Sequence, residues 1–302
     1  MKLSVVVPCY NEAVNVSEFE SELSKALLKE KITYEIIFID DGSTDDTYSK
    51  LSSLNKANKN VKVIRFSRNF GKESAMLAGL KNASGSYVAI MDADLQHTPE
   101  MLILMYKKLI NDDSFDCCCA YKSNREDEGS LKRTLTSLFY KINNKISDVK
   151  LLPGASDFRV FKKSVCDAIT SLDEKTRFLK GMFSWVGFNT IYVPYMPEKR
   201  MYGTSKWSLF KLLKYSLGGI ISFSTKPIKS VFIIGVVALI VGLLNFILMG
   251  NLANRTIILF ISFIMIQLGI ISLYVSRIYS NILNRPCYII KEKLGFNDKR
   301  SK

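Results

Sequence analysis

Apolar residues in the first part of the chain gather into short, mainly apolar runs, with segments of helical spacing between them. Residues 3–8, 34–40, 61–65 and 87–91 are such runs, the pattern of strands buried on both faces. Residues 14–29, 45–58 and 72–82 carry helical patterns instead. Thr98-Pro99-Glu100 adds a helix start, with the threonine as cap and the proline in the first turn. Strands alternating with helices predict an α/β domain whose mainly parallel sheet is covered on both faces. After Cys119 the alternation loosens. Residues 131–146 predict a further helix, and 156–161 and 189–194 two short strands. The charged stretch 123–133, which contains Gly129, predicts a mobile loop rather than a domain boundary.

The last third of the chain has a different texture. Residues 231–249 and 256–276 are uncharged and apolar on every face, and each approaches the roughly 20 residues that cross a bilayer as a helix. The six residues 250–255 between them allow only a tight turn, so a transmembrane hairpin is expected within 229–280. Ahead of it, 207–226 mixes Trp207, Leu209, Phe210, Leu212, Leu213 and Leu217 with Lys211 and Lys214, as a helix lying in the membrane interface does. Lys226 and Lys229 precede the hairpin and Arg277, Arg285, Lys291 and Lys293 follow it, while Arg255 alone sits in the turn. The positive-inside rule then puts both flanks in the cytoplasm. The expected division is a cytoplasmic catalytic domain over 1–206, the interfacial helix, the hairpin, and a cytoplasmic tail over 281–302. The chain opens directly into a strand pattern, without a signal peptide. A multi-pass cytoplasmic-membrane protein is the expectation.

Charge and cysteine content agree with this picture. A net charge of +14 suits either nucleic acid or an anionic membrane surface. No interleaved aromatic and basic surface accompanies it, which excludes nucleic acid as the expected partner. The six cysteines lack metal-type pairing and read as reduced structural thiols.

Two acidic strand ends carry the chemistry. Asp92-Ala93-Asp94 follows the run 87–91, and Asp40-Asp41-Gly42-Ser43 ends the apolar run 34–39. Ligands of open α/β sheets gather beyond the carboxyl ends of strands, so both motifs point to one crevice. Paired carboxylates suit a hard cation such as Mg²⁺ or Mn²⁺ that also takes phosphate oxygens. A G-x-G-x-x-G after the first strand is missing, and Gly71-Lys72 lacks the rest of a P-loop. The first strand ends instead in Val7-Pro8-Cys9-Tyr10-Asn11-Glu12.

That segment, the two acidic motifs with Gln96, Arg68-Asn69-Phe70-Gly71-Lys72, Gly154-Ala155-Ser156-Asp157-Phe158-Arg159 and Arg200-Met201-Tyr202-Gly203-Thr204-Ser205-Lys206 resemble family 2 glycosyltransferases of the Rossmann-like GT-A fold. With the terminal hairpin they resemble the polyprenyl-phosphate glycosyltransferases, the group of dolichyl-phosphate mannose synthase and the bacterial bactoprenol glucosyltransferases. The resemblance implies inverting transfer of a sugar from a nucleotide diphosphate onto a lipid monophosphate at the cytoplasmic face. It places Pro8, Tyr10, Glu12 and Asp41 around base and ribose, with Asp40, Lys72 and Ala93 in the same donor-binding set. Asp92, Asp94 and Gln96 would surround the diphosphate and its metal, Asp94 most directly. His97, the single histidine, is either a metal ligand or a loop contact. Arg200 and Lys206 would grip phosphates at the mouth of the site, joined on the acceptor side by Ser205, Arg125 and Arg133.

Asp157 is the family's candidate base; its structural alternative is a partner for Arg159, two residues along the strand. A lipid phosphate monoester with a second pKa near ~6 is already largely a dianion at neutral pH, which favours an orienting role. Packing of hairpins into a dimer or tetramer is compatible with the sequence. Competing readings are a processive polysaccharide synthase, whose Gln-x-x-Arg-Trp motif is missing here, and a catalytically silent nucleotide-sugar-binding anchor.

Overall fold

The computed structural model describes residues 1–122, 130–196, 218–248 and 253–296. The apolar runs become β1 (Lys2–Cys9), β2 (Thr33–Asp40), β3 (Val61–Phe66) and β4 (Tyr87–Ile90), all mutually parallel where they pair. They form the centre of an eight-stranded sheet that also takes in β5 (Cys117–Lys122), β6 (Ala155–Lys162), β7 (Thr190–Tyr195) and β8 (Ile290–Leu294). Its order is β7-β5-β6-β4-β1-β2-β3-β8. β6 runs antiparallel to β4 and β5, and β8 runs antiparallel to β3. The α/β expectation therefore stands, as a mixed, mostly parallel sheet.

Successive strand residues serve opposite faces, which is why the central runs are apolar throughout. Val5, Val7, Ile36 and Phe38 meet α1 (Val16–Lys29), α2 (Thr47–Ala57) and α4 (Pro99–Asn111) on one side. Val6, Ile37 and Ile39 meet α3 (Lys72–Asn82), α6 (Lys163–Ser171) and α7 (Leu179–Trp185) on the other. Gly79 lets α3 lie close, because a Cβ there would come within 2.2 Å of the Val6 side chain. The Thr98 hydroxyl accepts from Met101 N, capping α4 as its sequence predicts.

Several elements depart from the sequence reading. Helix α5 (Ser130–Ile146) begins inside the stretch expected to be a loop; 123–129 lie outside the described residues. Helices α6 and α7 follow strand β6 where no pattern announced them. The larger correction is β8, which lies within the stretch expected to be a plain tail. Its Lys291, Glu292 and Lys293 are exposed, as charged residues on sheet edges are, and this hid the strand. Tyr288 anchors it by stacking on Phe66, with centroids 5.0 Å apart and planes 7° from parallel.

Helices α8 (Lys226–Leu248) and α9 (Ala253–Ile282) precede β8 and pack against each other. Among the described residues, Phe263–Ile282 is long and apolar enough to cross a membrane. It extends past the expected 256–276, because α9 continues through Arg277 rather than ending before it. The Arg277 guanidinium finds carbonyl partners on the domain, Thr176 O at 2.9 Å and Gly218 O at 3.3 Å. Tyr274 Oη donates to Ser224 O at 2.7 Å, tying α9 to the chain entering α8. Most of the expected interfacial helix, 207–217, lies outside the described residues.

Candidate active site

The carboxyl ends of β1, β2 and β4 deliver their following residues to one edge of the sheet. Cys9 is in register with Asp40, so the turns after β1 and β2 lie together. They are laced by polar bonds: Asn11 N to Ser43 Oγ (3.0 Å), Glu12 N to Thr47 Oγ1 (2.8 Å) and Thr44 N to Asn11 Oδ1 (2.9 Å). Asn11 adopts φ 54°, a region in which asparagine is among the better tolerated residues. Tyr10 is exposed beside this turn, and the Glu12 carboxylate accepts from Asn15.

The two aspartates of the second motif separate in role. Asp40 is fully buried; it accepts from Ser43 N and faces Arg65, so it closes its own turn. Asp41 is also buried and accepts from Phe70 N at 2.7 Å and Gly71 N at 2.9 Å. It therefore holds the Arg68–Lys72 loop that starts α3. Burial pushes its carboxyl up to about 6; the two N–H donors oppose that shift and neighbouring Asp40 adds to it. Gly42 is required here, since φ is 66° and a Cβ would meet Arg68 C at 2.4 Å.

After β4 the chain alternates. Asp92, Asp94 and Gln96 are half-buried, while Ala93, Leu95 and His97 are buried. The Ala93 methyl belongs to the core, which leaves its backbone as what it offers a ligand. His97 stacks on Phe158 at 4.5 Å, and its Nε2 lies 3.1 Å from Tyr195 Oη and 3.4 Å from Ser156 Oγ. Burial lowers its pKa. These ring contacts are those of the loop-contact alternative.

Lys72 joins three elements. From the first turn of α3 its Nζ reaches Asp92 Oδ1 at 2.7 Å and Asp157 Oδ2 at 3.2 Å. Asp157 therefore pairs with Lys72, and the expected alternative of an Arg159 ion pair is not formed. The Arg159 guanidinium instead donates to Ser156 O at 2.8 Å and lies 4.0 Å over the Phe183 ring. Burial alone would raise the Asp157 pKa. The charges of Lys72, Lys180 and Arg159 more than reverse this and hold the carboxyl well below the usual carboxylate range. Burial likewise would lower Lys72, but Asp92 and Asp157 keep it firmly protonated.

Among the described residues no three His, Cys, Asp or Glu side chains converge to hold a metal ion. The donor set nevertheless fits Mg²⁺ or Mn²⁺. Such ions typically bind one or two carboxylates and complete their shell with phosphate and water, and Asp92, Asp94 and Gln96 supply hard oxygens from one half-buried segment.

The structure thus unites Lys72, Asp92 and Asp157, and beside them the Tyr10–Glu12 and Asp41 turns. Arg125, Arg200, Ser205 and Lys206 lie outside the described residues, as does the Arg133 side chain. Lys180 and Tyr195 were missed by sequence reasoning. A lone lysine in a short helix and a tyrosine ending an edge strand carry no motif.

This crevice lies on a mixed α/β sheet with carboxylates at its strand ends. The chain belongs to glycosyl transferase family 2, which matches residues 4–170, and it is a glycosyltransferase. It is 35% identical to an uncharacterized glycosyltransferase of Synechocystis sp., over 98% of this chain and 96% of that one. It is 36% identical to the SfII prophage-derived bactoprenol glucosyl transferase of Shigella flexneri, over 97% and 98%. A crystal structure of a mycobacterial protein superposes with a TM-score of 0.51 at 17% identity, covering 73% of this chain and 72% of the other, a likeness of fold.

Proposed function

We propose that this glycosyltransferase moves a sugar from a nucleotide diphosphate onto polyprenyl phosphate at the cytoplasmic face of the membrane, with inversion. The observation that carries the proposal is the near full-length likeness to a bactoprenol glucosyl transferase, which extends through the C-terminal helices as well as the sheet. In this reading residues 1–206 form the catalytic domain together with β8, and residues 207–226 lead from it toward the membrane.

Both ends of the α8–α9 segment are fastened to the same body. Ser224 Oγ donates to Ile146 O ahead of α8, and β8 rejoins the sheet after α9. A chain that leaves and re-enters one domain crosses a bilayer an even number of times. If α9 spans, α8 spans with it, which supports the hairpin. Lys226, Lys229, Arg285, Lys291 and Lys293 then all lie on the domain's side, as the positive-inside rule expects.

In this reading Tyr10, Glu12 and the turn held by Asp41 receive base and ribose. Asp92, Asp94 and Gln96 would hold Mg²⁺ or Mn²⁺, which supplies charge neutralisation at the departing diphosphate. Asp94 is the principal carboxylate of that set in this reading, as the family resemblance implies. Arg200 and Lys206, with Ser205, Arg125 and Arg133, serve the acceptor phosphate. Asp157 stays ionised at every physiological pH and is a weak base. The acceptor brings its own nucleophilic oxygen as a dianion, so Asp157 orients rather than deprotonates. In-line attack on the anomeric carbon breaks its bond to the diphosphate and inverts the centre.

The test is incubation of the purified full chain with polyprenyl phosphate and a panel of UDP- and GDP-sugars, followed by mass spectrometry of the extracted lipid. One sugar should appear on the lipid as a phosphodiester. Transfer to soluble acceptors only, with none to the lipid, would overturn the proposal.

A further inference from the structure

Lys72 sits between two fastened points of its own chain. Just ahead of it, Phe70 N and Gly71 N are held by the Asp41 carboxylate. Directly after it, Glu73 Oε2 accepts from Leu179 N at 3.1 Å, which ties the first turn of α3 to the first residue of α7. No donor or acceptor contact falls to Glu73 in the proposed reaction.

The bond meets a need of α7. The leading N–H groups of a helix have no partner within it, and Phe178, which precedes α7, offers no side-chain cap. Leu179 is buried, so its N–H must find a partner in the protein. The loop that Glu73 grips is itself held firmly. The Arg177 guanidinium donates to Ile169 O and Leu172 O, both at 2.8 Å, and clamps the α6–α7 loop to the end of α6. Arg277 of α9 holds the Thr176 carbonyl of the same loop, and Phe178 packs on Phe223 with centroids 6.3 Å apart. The next residue of α7, Lys180, donates to Ala155 O on β6, the strand that carries Asp157. The start of α7 therefore touches both the helix of Lys72 and the strand of Asp157.

An ammonium on a flexible four-carbon stem has no fixed direction of its own. Whether it reaches two carboxylates, one after β4 and one on β6, depends on where its Cα stands. We infer that Glu73 is a positioning residue: by gripping the start of α7 it sets the first turn of α3, and with it the Lys72 ammonium between Asp92 and Asp157. An acidic residue in a helix's first turn also favours the helix dipole, an effect that needs its charge. Positioning needs an acceptor oxygen instead. Glu73→Gln keeps that oxygen and Glu73→Ala loses it.

The experiment is competitive acetylation of the full chain in detergent, with the rate at each lysine read by mass spectrometry. An amine reacts in its deprotonated form, so an ammonium held by two carboxylates labels slowly even where it is one-third exposed, as Lys72 is. In Glu73→Ala, Lys72 should label about tenfold faster, the scale of one charge-assisted hydrogen bond. Lys62, paired with the buried Glu35, should keep its wild-type rate. Glu73→Gln should stay near wild type at both lysines. An unchanged Lys72 rate in Glu73→Ala overturns the inference. So does a rise at Lys62 as large as that at Lys72, which marks general loosening, and so does a Glu73→Gln that matches Glu73→Ala, which leaves the dipole as the role. A second arm rests on the functional reading above and measures turnover with polyprenyl phosphate. Glu73→Ala should lower kcat about tenfold in the wild-type background and leave Lys72→Met unaltered, because a residue acting through Lys72 has nothing further to lose there. Equal losses in both backgrounds, or none in the first, would detach Glu73 from Lys72. A chain that glycosylates no lipid would sink the functional reading, and the acetylation rates would still decide the role of Glu73.

Discussion

Lys72 is the residue on which the site's electrostatics turn. Asp92 and Asp157 come from different strand ends, and the Lys72 ammonium bridges the two carboxylates. Lys72→Met should leave the fold intact, since the side chain is one-third exposed, but lower turnover on the order of 10²-fold, the scale of an electrostatic contact in an active site. Steady-state kinetics beside a circular dichroism spectrum check this; near wild-type turnover would remove Lys72 from the mechanism. Asp157→Asn should lose most activity, and raising the pH should not restore it, because a carboxyl held so low never titrates in the working range. The wild-type rate should rise through the acceptor's second ionisation near ~6 and then level. Alkaline recovery of the Asn variant would show that proton removal matters after all. Little of this triad was legible beforehand. Asp92 and Asp157 stood out as motif residues, whereas Lys72 entered only among the donor contacts, because an ion pair across 20 and 85 residues leaves no spacing to read.

At the scale of elements, the strands were legible wherever burial is two-sided. β2 shows what the pattern conceals. Its Glu35 looks like a flaw in an apolar run, yet it is buried and bonded to Lys2, Lys62, Ser4 and Ser84. Burial would raise its pKa, but these four partners bring it down to about 2. A carboxyl depressed on folding contributes stability that is complete above its unfolded value near 4.5 and lost as pH falls toward 2. The shift corresponds to roughly 3 kcal/mol. Glu35→Gln should therefore lower the denaturation midpoint at pH 7 and flatten the acid limb between pH 5 and 2 in denaturant titrations. An unchanged acid limb would mean that the network contributes nothing. Asp41 works in the opposite sense. Its carboxyl is raised to about 6, so its ionisation opposes folding as pH climbs from about 4 to 6. β8 and the short α6 and α7 were illegible for another reason: they are stabilised by the surfaces they land on, not by a period of their own.

For the molecule as a whole, the C-terminal strand changes the place of the α8–α9 segment in the fold. The chain leaves the domain at Lys226 and returns at Ile290 to pair with β3, placing α8 and α9 as an insertion between two parts of one sheet. The expectation of a dispensable anchor followed by a tail predicts that truncation after Ser224 yields a soluble, donor-binding domain. The observed topology predicts otherwise. Such a cut also removes β8, bares the backbone edge of β3 and deletes the Tyr288 ring stacked on Phe66. An exposed, apolar edge strand is a template for aggregation. Phe66 in turn packs edge-on against Phe70, whose N–H binds Asp41, so the damage reaches the loop that positions Lys72. The truncated chain should therefore aggregate and bind donor poorly. Replacing 226–283 by a flexible linker that retains 284–296 should restore solubility and donor binding, measured by size exclusion and calorimetry, while use of long-chain polyprenyl phosphate stays poor. If the chain cut after Ser224 is monodisperse and binds donor as tightly as the linked one, β8 is an ornament of the edge. If the linked chain turns over long-chain lipid in vesicles as well as the intact protein, the membrane segment has no part in acceptor access.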